Sequence, residues 1–501
     1  MSRRQITSIG TIFRRVESDL ALSAFSWRSR LETRAALYIL VLLSATVRPS
    51  AQSPANTATQ ARTGPITIGE VVETSLHDYP QIHVSEEELN AAVAGIQLAR
   101  TAYLPQVNGL VQANRATRNN VFGALMPQNT IPSMTGPVLG TNNGGSVWGS
   151  AAGLLVIWQP FDFGLRHANV TAARAGKDRA AATSDLTQLE VSAAAVDAYI
   201  SLIAAKQTEK AALAALDSWD VLLRSIHAMT MAELRPGADE SRVQAERAVA
   251  ATQLAYARQA TADAAATLIK FLPRAAEPNV AIDTGRLLSE SPSITDEDLP
   301  LNASAHPAIA EQTATVIQSA AQLHAIERTW VPRFDLEGAG FARGTGAQTD
   351  GNRSPGANGL APTVGNYAFG FTVTFPFMDC ASIHAREASE SSTLRVNKAS
   401  LELTDRTLQE QFSKAKAAVR TAREVAANAP IELKAAQAAL DQARARYQAG
   451  LTSIDDLAQA QRLAVQAEID DSLARLNVWR AFLQLEATRG KIDPFLQAVS
   501  K

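Results

Sequence analysis

Cysteine is nearly absent from this 501-residue chain: Cys380 stands alone, so no intrachain disulfide can form and a thiolate metal site is all but excluded. Aromatic residues are scarce too, at 6%, while alanine fills long stretches, a composition that suggests long packed helices rather than the mixed core of a globular enzyme. Charge of either sign is not in excess. With a formal net charge of −2 and no basic stripe, nothing electrostatic favours a nucleic-acid partner. Beyond the N-terminal region no apolar run approaches the roughly 18 to 20 residues that a membrane-spanning helix needs, so any membrane segment is expected to be β. Catalytic signatures are missing as well. There is no GxSxG, HExxH, P-loop or nucleotide fingerprint, and neither enzymatic activity nor a cofactor is expected.

What is present begins with an export signal. After an arginine-rich stretch ending at Arg34 comes AALYILVLLSATV, about a dozen apolar residues, followed by RPSAQSPA. This reads as a secretory signal peptide over residues 1–51 with cleavage after Ala51, although its n-region is long and Pro49 sits where a small residue is preferred. Arg3 and Arg4 lie too far upstream of the apolar run to serve as a twin-arginine signal.

The rest of the chain is written twice. LHDYPQI and ARTAYLPQV in the first half answer ASAHPAI and ERTWVPRF in the second, with Pro80 and Pro105 separated by the same interval as Pro307 and Pro332. Farther on, WQPFDFGLRHANV around Asp162 answers TFPFMDCASIHARE around Asp379, and ELRPGADESRVQAER around Gly237 answers YQAGLTSIDDLAQAQR around Gly450. The expected organisation is a linker over 52–65, one repeat over 66–290, a second over 291–490 and a tail over 491–501.

Each repeat carries the same change of period. From Tyr367 to Phe375 every second residue is large and apolar, while Ala368, Gly370, Thr372 and Thr374 fill the other face, which is a strand with one apolar side. Strands are likewise expected after Pro105, over VWGSAAGLLVIWQ, and over RFDLEGAGFAR, joined by Gly-, Asn- and Pro-rich loops. Past Pro160 and Pro376 the composition turns to that of helix, predicted from Asp162 to Gly237 and from Asp379 to Gly450, each about 100 Å long and each reversing at its glycine. Leu394, Leu401, Leu408, Ala415 and Ala422 recur seven apart, with Phe412, Val419 and Ala426 as companions, so coiled-coil packing is indicated. Four strands in a bilayer cannot close by themselves. Two chains would supply eight strands around a filled interior and three would supply twelve around a lumen; the arithmetic allows either.

These duplicated proline-bounded helices, the P-F-D and P-F-M-D junctions and the G-x-x-S tip at Gly450 to Ser453 resemble those of TolC-like outer-membrane efflux proteins, from Thr67 to Gly490. The resemblance implies a mainly α fold with a membrane β-barrel portion: a homotrimer whose twelve-stranded barrel stands in outer-membrane lipid and continues into an α-helical barrel through the periplasm. It also implies a periplasmic adaptor protein and an inner-membrane transporter as partners, the chain being the exit duct of a tripartite efflux or type I secretion system. A lipid anchor is not expected, since no cysteine lies near Ala51.

Site residues follow from the same resemblance. Pro160, Asp162, Pro376 and Asp379 mark the strand-to-helix junctions, and Pro376 suits a helix start because its missing N–H would be unsatisfied there anyway. Asp456 matches an acidic ring at the periplasmic aperture, with Gln459 where some relatives place a second aspartate; the plainer reading is that Asp455 and Asp456 favour a helix N-terminus. Arg235, Gly237, Ser241 and Arg242 in one hairpin tip, and Gly450, Thr452 and Ser453 in the other, are the positions expected to meet the adaptor. His167 and His384 are isolated from other ligand types, so no metal site is expected. The rival from another class is a trimeric coiled-coil adhesin or structural envelope protein, but such adhesins gather their anchor strands at the C-terminus, whereas here strands recur in both halves.

Overall fold

A computed structural model of the chain describes residues 65–117, 146–232, 237–273, 281–292, 301–348 and 354–500. The signal peptide, most of the 52–65 linker, the first inter-strand loop and Arg235 lie outside the described residues.

Local chemistry sets the start of each half. Thr67 caps α1 (Ile68–Asp78) in a reciprocal capping box with Glu70, satisfying two helix-end amides at once. Tyr79 is extended, as a residue before proline must be, and Pro80 opens α2 (Pro80–Thr101). After Pro105 the chain runs as β1 (Gln106–Thr117) and returns as β2 (Ser146–Phe161). There follow α3 (Leu165–Met231), α4 (Gly237–Ile269) and the short α5 (Gly285–Ser289). The second half repeats the plan with α6 (Pro307–Glu327), β3 (Arg333–Thr345), β4 (Val364–Thr374), α7 (Cys380–Gln448), α8 (Ile454–Thr488) and a final α9 (Asp493–Ser500). The two long helices begin a residue or more past the aspartates and stop before the glycines.

The strands form one antiparallel meander, β1-β2-β3-β4, in which β2 and β3 stitch the two halves together. Its register sorts the side chains, since residues directly opposite each other share a face. Val107, Val156 and Phe369 lie on one side with Leu154 and Tyr367, and with Trp158, Leu336 and Phe371. The opposite side carries Gln106, Asn108 and Gln112, together with Arg333, Asp335, Glu337, Arg343 and Thr372. The apolar side is bare: Tyr367 is 90% exposed and Val111 86%. Outer strands β1 and β4 pair on one edge only.

Among the helices, α2 packs on α3, α3 on α6 and α6 on α7, while α3 with α4 and α7 with α8 form two long hairpins. The heptad stripe of α7 faces inward at Leu408, Ala415 and Val419, with Phe412 and Ala422 against the same core.

Contrary to the sequence reading, α3 contains an 18-residue stretch apolar enough to pass for a membrane span. Half of that window is buried inside the chain. Its apolarity has a different physical cause: Val191, Ala195, Val196, Tyr199, Ile200, Leu202 and Ile203 form the centre of the largest core, packed by α1, α8 and α9. The Tyr199 hydroxyl donates there to the carbonyl oxygens of Ile66 and Asp283, tying down the short parallel bridge between Ile66 and Ile282.

Candidate functional site: junctions and hairpin tips

At the foot of the sheet the two repeats solve one problem differently. Pro160 lies near the end of β2 where the pairing with β3 slips between Trp158 and Phe161, a place where its missing N–H disturbs no ladder bond. Phe163 (φ 48°) and Gly164 (φ 92°) then take left-handed conformations and turn the chain into α3. Asp162 caps that turn, its Oδ1 accepting from the Gly164 amide (3.3 Å) and its Oδ2 from the amide (2.5 Å) and Nε (3.0 Å) of Arg166. Arg166 is buried; it also donates to the Ala102 carbonyl (3.2 Å) and lies over the Tyr103 ring, 4.8 Å away. Burial pushes the Asp162 carboxyl up, yet the hydrogen bonds from the Arg166 side chain and the two amides outweigh it and hold the group below the ordinary carboxylate range.

The second junction has no such lock. Pro376 lies two residues past the end of β4 and precedes a 3₁₀ turn, Phe377–Asp379, so it stands before the helix rather than at its first residue. Asp379 makes no side-chain cap. Ile383, buried, occupies the position that answers Arg166, and His384 meets the Trp330 ring edge-on at 5.2 Å with Nδ1 3.2 Å from Glu387. Around both junctions Phe161, Phe163, Phe375, Phe377 and Met378 are exposed.

At the far end of the hairpins, α7 closes with a left-handed Gly450 (φ 74°): the Leu451 amide donates to the Arg446 carbonyl (2.8 Å) and the Gly450 amide to that of Tyr447 (3.0 Å), a Schellman arrangement that glycine admits without strain. Ser453 then caps α8, sharing a capping box with Asp456. The Asp456 carboxylate accepts from the hydroxyls of Thr452 (2.6 Å) and Ser453 (2.9 Å) and from the Ser453 amide (3.2 Å), which together hold its pKa below the usual value. Its helix-start role is therefore real, and the side chain still faces solvent. In the other tip Gly237 is the first residue of α4, and the Ser241 hydroxyl donates back to its carbonyl (3.2 Å).

The hairpins are fastened to each other. Arg242 pairs with Asp455 (2.9 Å), Arg462 with the buried Glu246 (2.8 Å), and the Tyr447 hydroxyl donates to Asp239 (3.2 Å). Gln459 lines a groove with Trp219, Glu246 and Arg462 between α3, α4 and α8. The sequence marks Arg242 only as an adaptor-facing position and gives no sign of its link to Asp455 or of the roles of Asp239, Glu246, Tyr447 and Arg462; the one local signal is Tyr447, a lone aromatic in a polar last turn.

The comparisons with known proteins agree with this architecture. A family model described as outer membrane efflux protein matches residues 71–273 and 301–491, the two halves in turn. No curated protein sequence matches significantly. Among solved structures, the outer-membrane channel OprN is 20% identical with a TM-score of 0.63, covering 84% of this chain and 89% of its own. The CmeC outer membrane channel of Campylobacter jejuni is 15% identical with a TM-score of 0.67 (87% and 89% covered), and the outer membrane protein VceC of Vibrio cholerae is 16% identical with a TM-score of 0.64 (84% and 96% covered). The structures share the fold, and the family model spans most of the sequence. The chain accordingly belongs to the outer membrane efflux protein family, a family of channels rather than enzymes, and resides in the outer membrane with a large periplasmic portion.

Proposed function

We propose that three copies of this chain close into a twelve-stranded barrel, β4 of each pairing with β1 of the next, and that the trimer is the exit duct of a tripartite efflux or type I secretion system. The observation that carries this is the pair of open edges on a sheet whose apolar face is bare. In a bilayer each unpaired backbone group costs several kcal/mol, so closure is obligatory. Eight strands would leave no room for the arginines and carboxylates of the opposite face, whereas twelve surround them with water. The helices that continue the edge strands, α2 and α7, expose Val84, Val93 and Leu98, and Val396 and Leu403, as an interface between copies requires.

In this reading cargo enters from an inner-membrane pump through a periplasmic adaptor. Arg235, Gly237, Ser241, Arg242, Gly450, Thr452 and Ser453 would meet that adaptor, and Asp456 with Gln459 would border the aperture. The common place of the described ones at the hairpin tips supports the assignment, as does the solvent-facing Asp456 carboxylate. Mass determination in mild detergent is expected to return three protomers; a monomer or dimer overturns the closure.

A further inference from the structure

We infer that the cavity at the foot of the sheet binds a small organic carboxylate, either a free acid or the acidic end of a larger cargo molecule. The cavity measures about 280 Å³ and opens between the start of β1, the end of β2, the first turn of α3 and the start of β3. Arg333, Gln106, Gln159 and Asn169 line it. Among the described residues no protein group ion-pairs with Arg333 or bonds the three amide side chains; Arg333, Gln106 and Asn169 are exposed and Gln159 is half-buried, so all four are open to an incoming ligand. Asp162 borders the cavity too, but its charge is taken up by Arg166. The remaining charge at the site is the Arg333 guanidinium, whose planar fork matches a carboxylate, with amide N–H groups beside it to complete the anion's shell.

The rest of the wall selects the body of the ligand. Leu104, Ile157 and Val331 are apolar and would cover a hydrocarbon portion, which inorganic phosphate lacks. At the lower limit of ligand-pocket volumes, the cavity suits a single ring or a short chain. Arg333 and Gln106 lie on the polar face of the sheet, so the site rests on the reading of that face as the wall of a duct and makes it a station for acidic cargo.

The detergent-solubilised full chain should be titrated calorimetrically with benzoate, and with benzamide and inorganic phosphate for comparison. Benzoate is expected to bind once per chain, and Arg333→Gln to weaken it by about tenfold or more, the worth of one charge-assisted pair. Arg333→Lys should restore part of the affinity. Arg343→Gln, on the same face at the far end of β3, should leave it unchanged. Equal affinity in wild type and Arg333→Gln, benzamide binding as tightly as benzoate, or phosphate binding without benzoate each overturns the assignment. Should Arg333→Gln fail to assemble, Asn169→Leu keeps the charge and must still weaken benzoate. Current through planar bilayers separates the two ideas: a conducting trimer that ignores benzoate sinks the carboxylate site alone, and a non-conducting protein that binds it sinks the duct alone.

Discussion

At the scale of single residues, Asp162 and Arg166 hold the first junction together. Side-chain exposures of 16% and 7% leave neither partner free to turn to water. Arg166→Leu strands the carboxylate among buried neighbours and is expected to cost about 3 kcal/mol, read as a lower melting temperature of the helical circular dichroism in detergent. The pH dependence has a definite sign. A carboxyl depressed in the fold contributes stability above its unfolded pKa, about 4, and loses it as pH falls through the folded value. Wild type should therefore weaken on acidification below about pH 4, and Asp162→Asn should weaken less steeply. A variant as steep as wild type would mean that other carboxylates dominate. The repeat in the sequence did not disclose this asymmetry: Asp379 stands where Asp162 does, but Ile383 replaces the arginine, and only contact with Tyr103 and Ala102 shows what that exchange removes.

Among the elements, β4 offers the sharpest test of register. Phe371 sits opposite Leu336 on the bare apolar face, and Thr372 sits opposite Asp335 on the polar one. A charge near the bilayer midplane costs about 2 to 4 kcal/mol on a lipid-facing surface, so Phe371→Arg should sharply lower the yield of assembled protein. Thr372→Arg gains Asp335 as a cross-strand partner and should assemble nearly normally. Equal defects in both, judged by semi-native gel migration, would reject the register. This alternation was legible from Tyr367 to Phe375 because period two is a property of the strand itself. How each strand meets its helix was not, since the left-handed Phe163 and Gly164 and the Phe377–Asp379 turn are local departures from both strand and helix that no periodicity announces.

Across the whole molecule, the proposed duct would be closed at its periplasmic end by the hairpin tips. If three copies of Asp456 converge there, as the proposed trimer requires, multivalent cations applied from that side are expected to block current, and Asp456→Asn to weaken the block without altering trimer yield. Asparagine keeps an oxygen for the Ser453 amide, so the helix start survives. Asp455 behaves differently: bound to Arg242 on the other hairpin, it should leave the block intact when changed to Asn while raising the resting conductance, because a cross-hairpin tie is lost. If Asp455→Asn alone relieves the block, the aperture faces the neighbouring residue. If neither does, other groups near Gly450 form the mouth.

The sequence by itself determined the duplication, the period of each strand, the helical character of the long segments and the glycine turn at Gly450, because all of these depend on backbone preferences that neighbouring residues express locally. It could not say which polar groups meet. Arg462 reaches Glu246 across 216 positions of chain and Tyr447 reaches Asp239 across 208, and no local rule encodes such separations. The apolar stretch of α3 shows the same limit. Composition alone does not distinguish a helix bound for lipid from one wrapped by α1, α8 and α9, and the tertiary structure decided for the second by burying Val196, Tyr199 and Leu202 completely.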